Sequence, residues 1–186
     1  MTSYRITDFS SSFSSMLGGL CFIGLLMIAA ASDVRARRIP NALVLVLAVL
    51  GLAYSAFTLP VLIGASRAAL GLGLGFSLWI PFYALGMIGA GDVKLFAAGC
   101  CWLAPSQVIV AALLSAFAGG VLSIIALVLA HGAGITVFRI AQVARDPTAL
   151  ATPLNTPEGR PTLPYGLALV VGLGVAGWVP LVSKLA

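Results

Sequence analysis

The sequence predicts an all-α, polytopic membrane protein with six transmembrane helices, on three observations. First, 61% of its 186 residues are hydrophobic and 8% charged, with a mean hydropathy of +1.13. A soluble domain carries about a quarter charged residues, so this chain lacks the polar surface to solvate a globule and lipid must be its solvent. Second, the apolar residues gather in runs punctuated by prolines and polar clusters. Third, basic residues fall between those runs, as they do where basic loops orient membrane helices. A crossing needs about 20 apolar residues, so residues 1–186 are read as one transmembrane domain with no room for a separate soluble one.

Taken in order, residues 1–15 are polar and serine-rich and are expected to form a short tail. The first apolar run, Met16 to Ser32, ends in a row of alanines before Asp33. Such an ending mimics a signal-peptide cleavage site, but Arg5 is balanced by Asp8, whereas signal peptides begin positively charged. A retained first helix is expected, its amino terminus outside. The second run, Ala42 to Leu59, is opened by Pro40 and closed by Pro60, matching proline's tolerance at a helix start and disruption of its interior. The third runs from Ala68 to Met87 and the fourth from Val93 to Ala104, stopped by Pro105. The fourth is short and spans only if Ile88 to Asp92 also lie at membrane depth. The fifth covers Val108 to about Ala130. A polar loop over about 139–162 follows, where Pro147, Pro153 and Pro157 oppose a long helix, and the sixth run goes from Pro164 to Val182. Small residues four apart, such as Gly71 and Gly75 or Gly172 and Ala176, read as close helix packing.

Charge placement sets the orientation. Six crossings from an outside amino terminus put Arg35, Arg37, Arg38, Lys94, Arg139, Arg145 and Arg160 inside, and Arg5, Arg67 and Lys184 outside. Seven against three supports that assignment, which inversion of the protein would reverse. The net charge of +5 is thereby explained without nucleic acid, since no aromatic interleaving or groove-reading motif accompanies the arginines. Cys21, Cys100 and Cys101 lack CxxC spacing and lie within apolar runs, so neither a disulfide framework nor a zinc site is indicated. His131 is the only histidine. It makes no metal site alone, and no motif gives a Ser or Cys nucleophile its base. No metal or cofactor is expected.

The acidic residues are Asp8, Asp33, Asp92, Asp146 and Glu158. Three lie in polar sequence. Asp33 and Asp92 instead abut or interrupt apolar sequence, where an ionisable group is costly and by default functional. Asp33 ends the first helix, and two crossings later the chain returns to the same face at Asp92. Two close carboxylates cannot both ionise easily and share a proton. One then draws a proton from an attacking water while the other donates to the developing oxyanion and leaving amine. Each aspartate also has a plainer reading. Asp92 in Gly89-Ala90-Gly91-Asp92 is a favourable anion in a helix's first turn, and Asp33 is in reach of Arg37 one helical turn on. Gly89 and Gly91 permit unusual backbone angles and close approach of another strand.

The blocks Asp33-Val34-Arg35-Ala36-Arg37-Arg38-Ile39-Pro40-Asn41 and Gly89-Ala90-Gly91-Asp92-Val93-Lys94-Leu95 together resemble the type IV prepilin peptidases, membrane aspartic proteases of the GxGD class. Pro164-Tyr165-Gly166 resembles the family's third block, and the three stand in family order. The resemblance implies that Asp33 and Asp92 are the catalytic pair. It assigns Gly89, Gly91, Pro164, Tyr165 and Gly166 to substrate binding or to the site's structure. The implied substrates are prepilin or pseudopilin leaders, cut at the cytoplasmic face of the bacterial inner membrane. The larger members carry a cytosolic CxxC insert and methylate the new amino terminus. Lacking that insert, this chain is expected to be a peptidase without methyltransferase activity, similar to the small forms that serve tight-adherence (Flp-type) pili. Two rival readings use the same residues: a transporter relaying protons or cations through the aspartates, or a non-catalytic pilus assembly factor. A transporter would more often place its charged site at the midplane.

Overall fold

The computed structural model describes residues 2–36, 38–131, 141–142, 145 and 165–183. The chain divides into two compact units, Met1–Ala118 with Pro164–Ala186, and Gly119–Leu163. Helices make up the first: α1 Thr2–Ala36, α2 Asn41–Thr58, α3 Val61–Ala84, α4 Ala90–Cys100, the first half of α5 Pro105–His131, and α6 Tyr165–Ser183. Of the second unit, the described part is the remainder of α5 with residues 141, 142 and 145. Most of the predicted polar loop, including Pro147, Pro153, Pro157 and Arg160, lies outside the described residues.

Among the described residues four helices are long and apolar enough to cross a bilayer: Met16–Ala36 of α1, α2, α3, and Pro105–Ala126 of α5. All-helical membrane architecture therefore holds among the described residues, and four of the six expected crossings meet the length requirement. The apolar part of α6, Tyr165–Trp178, is shorter. Helix α4 has 11 residues, about 16 Å at 1.5 Å per residue, against a hydrocarbon core about 30 Å thick. It is instead the post around which the others stand, packed against α2, α3 and α6. Val93 and every residue from Leu95 to Cys100 are buried, as a helix apolar on all sides requires. Outward-facing Leu45, Leu62, Leu70, Leu113 and Phe117 are exposed, the arrangement of a bundle solvated by lipid.

Two boundaries differ from expectation. Residues 2–15 are not a free tail but continue α1; no proline or glycine interrupts the chain before Gly18. Helix α3 begins seven residues before the predicted run because Pro60 starts it and Gly64 sits against α2. A Cβ at Gly64 would meet Ser55 O and lie 2.9 Å from Ala56 Cα. The end of α3 is a Schellman turn. Gly86, at φ 71°, donates to Tyr83 O at 2.9 Å and Met87 donates to Phe82 O at 2.9 Å, the paired bonds of that motif.

Small residues do the packing that their spacing predicts. A Cβ on Gly71 would strike the Cys100 carbonyl, and one on Gly75 would lie 2.9 Å from Cys100 Sγ and 3.1 Å from Ala97 Cα. That is how closely α3 approaches α4. Gly172 of α6 is pressed against Ser115 and the Ala111 carbonyl of α5, whereas Gly73 and Gly120 face open space.

Candidate active site

Asp33, three residues before the end of α1, is buried at 7% exposure. Its Oδ2 accepts the Gly166 backbone N–H at 2.9 Å. This is one of the unpaired donors of the first turn of α6, which needs external acceptors and favours an anion through its dipole. Asp33 therefore caps the last helix of the chain. Gly166 must be glycine for this: a Cβ there would lie 2.7 Å from Asp33 Oδ2 and 2.9 Å from Cγ. Pro164 lies outside the described residues, and so does Arg37, the alternative partner for Asp33. The chain after α1 is held back by Ser32, whose hydroxyl donates to Arg38 O at 3.0 Å.

Asp92 is half-buried in the first turn of α4. Its Oδ2 accepts the Gly89 N–H at 3.2 Å, while its own N–H donates to Gly89 O at 3.1 Å. The plainer reading of Asp92 as a helix-start anion is thus true, and it holds the carboxylate in place. A carboxylate has about four acceptor sites, so a single backbone donor leaves room for a water. Lys94 is exposed, as two-residue spacing on a helix implies.

The two glycines do not serve as the sequence suggests. Gly89 is extended at φ −79° and ψ 151°, and Gly91 lies within α4. Neither uses an angle reserved to glycine; among the described residues that feature falls on Gly86. A Cβ at Gly89 would come 3.2 Å from Asp92 Oδ2, whereas one at Gly91 would meet Ile39 at an ordinary 3.7 Å. Ile39 of the α1–α2 connection thereby covers the start of α4.

These contacts gather the ends of α1 and α3 and the starts of α4 and α6 at one end of the bundle. Asp33 and Asp92 lie within electrostatic reach of each other, as do Asp92 and Tyr165. Among the described residues no three His, Cys, Asp or Glu side chains gather as a metal ion would require. Trp79 was missed by sequence reasoning. It is buried at 4% exposure, its ring centroid 5.5 Å from Phe96 of α4 and 6.0 Å from Tyr165 of α6. An apolar aromatic inside an apolar run carries no signal of such a position.

Residues 20–124 match the model of the type IV leader peptidase family. That stretch contains Asp33 and Asp92 and ends before Gly166. No curated protein and no solved structure matches the chain. With more than half its length matched, the chain belongs to the type IV leader peptidase family.

Proposed function

We propose that this protein is a membrane-embedded aspartic endopeptidase that removes the amino-terminal leader of type IV prepilin-like proteins, with Asp33 and Asp92 as its catalytic pair. One observation carries the reading. The only two acidic residues set in apolar sequence come to one end of the bundle, each carboxylate held at a helix start by a backbone N–H group. Close carboxylates titrate as a pair, so one stays ionised while its neighbour holds a proton. The ionised member takes a proton from water as that water attacks the scissile carbonyl; the protonated member donates to the oxyanion and then to the leaving amine. Fixed backbone donors keep both groups oriented without reorganisation during the reaction.

Arginine placement favours cleavage at the cytoplasmic face of the inner membrane, with the amino terminus outside. The absence of paired CxxC motifs from the sequence favours peptidase activity without amino-terminal methylation. Prepilins or pseudopilins, including those of tight-adherence pili, are the substrates that the family implies.

The test is co-expression with a prepilin carrying its leader, comparing the unmodified protein with Asp33→Asn and Asp92→Asn. The unmodified protein should shorten the prepilin and each variant should leave it at full length. Cleavage that survives either substitution would overturn the two-aspartate mechanism. No cleavage by the unmodified protein would favour transport or an assembly role.

A further inference from the structure

We infer that Trp79 is a positioning residue, an aromatic spacer that sets the separation of the two aspartates by standing between the helix starts that hold them. This rests on the reading of Asp33 and Asp92 as a catalytic pair.

The geometry runs through three contacts. Asp33 is bound to Gly166 N–H at 2.9 Å, and Tyr165 is the residue just before it, so the Tyr165 ring reports where Asp33's anchor sits. Tyr165 meets the Trp79 ring edge-on, at 6.0 Å and 74°. The Trp79 ring meets Phe96 edge-on, at 5.5 Å and 64°. Phe96 lies four residues after Asp92, one turn along the same face of α4. Centroid distances of 4.5–7 Å with tilted planes are the favoured aromatic geometry, so each joint is a packed contact. Phe96 has no exposure at all and cannot retreat.

The position of Trp79 along α3 supports the same role. Gly64, Ala68, Gly71, Gly75 and Trp79 form the buried face of that helix. Four small residues let α3 close upon its neighbours, and the stripe ends in the largest side chain available, level with the start of α6. Among the described residues the buried Trp79 Nε1 has no hydrogen-bond partner. A buried indole N–H ordinarily finds one, as Trp102 does by donating to Leu47 O at 2.9 Å. Among the described residues the Trp79 ring is held by aromatic packing, and its volume is what sets the spacing.

The experiment measures kcat and KM for leader removal by the full-length protein in detergent or vesicles, with Trp79→Ala, Trp79→Phe and Tyr165→Leu. A misplacement near 1 Å costs about 100-fold in rate. Trp79→Ala and Tyr165→Leu should therefore lower kcat roughly 10- to 100-fold, with KM changed less than about threefold. Trp79→Phe, which keeps a ring, should recover most of that loss. Tyr165→Leu removes the spacer from its half-buried side and serves if Trp79→Ala does not fold. Unchanged kcat in either folded variant, a rise confined to KM, or Trp79→Phe as impaired as Trp79→Ala would each overturn the spacer. Asp33→Asn in the same assay separates the two claims: if it still cleaves, the catalytic reading itself has failed.

Discussion

The two ends of the bundle are built on opposite plans. At one end Trp102 is locked: its Nε1 donates to Leu47 O, and its ring stacks on Phe22 at 5.3 Å and on Tyr54 at 5.4 Å. Ser55 Oγ adds a buried bond to Cys101 O at 3.2 Å. Gly51 lies so close that a Cβ would come 2.7 Å from the indole. Two helices, α1 and α2, are tied to the α4–α5 connection by one side chain whose polar atom is satisfied. At the other end Trp79 touches three aromatic rings and bonds to none of the described residues. Two carboxylates there share their acceptors with helix starts. The first end supplies rigidity through a stacked indole whose donor is paired. The second keeps acceptor capacity open and relies on packing for its geometry.

That contrast predicts that stability and activity separate along the bundle. The largest effect is expected from Trp102→Ala, which removes a buried aromatic at about 3–5 kcal/mol. Its melting temperature should fall sharply, while cleavage per folded molecule at low temperature stays close to that of the unmodified protein. Loss of specific activity in the folded fraction would break the division. Next is Gly166→Ala, whose Cβ would displace the Asp33 carboxylate. Leader removal should fall on the order of 100-fold with little change in melting temperature. A smaller loss, about tenfold or less, is expected of Gly89→Ala, because a contact at 3.2 Å from Asp92 Oδ2 asks for a shift of only tenths of an ångström. Processing at the unmodified rate would mean that Asp92 does not depend on the Gly89 cap. The smallest effect is that of Gly91→Ala on folding: with Ile39 at 3.7 Å, stability should hold or rise by about 0.5–1 kcal/mol. A lower melting temperature would show tighter packing between Ile39 and α4 than the structure has.

How much of this was legible in the sequence depended on whether a feature was local. Helices α2 and α5 follow their apolar runs to within about three residues, because Pro40, Pro60 and Pro105 mark their limits. The start of α3 was hidden because Gly64 and Arg67 look like loop residues until α2 is seen beside them. The meeting of Asp33 and Asp92 at one end was readable from counting crossings, which needs no side-chain geometry. The Asp33–Gly166 bond was not, since nothing in either residue's neighbourhood announces the other. Trp79 was equally silent: a tryptophan in an apolar run reads the same whether it faces lipid or holds two helices apart. Gly89 and Gly91 were legible as a pair but not in their roles, because glycine advertises freedom and the fold uses that freedom at Gly86.

The bond between Asp33 and the start of α6 also sets a clock on biosynthesis. Its partners lie 133 residues apart, so at about 5–20 residues per second Asp33 waits roughly 7–27 s after its own synthesis for the helix that orients it. Until α6 enters the membrane, the chain holds one carboxylate capped on α4 and another without its anchor. On the proposed mechanism, a nascent chain of this design stays idle until α6 is made. An arrested chain ending before residue 164 should insert and leave its substrates whole.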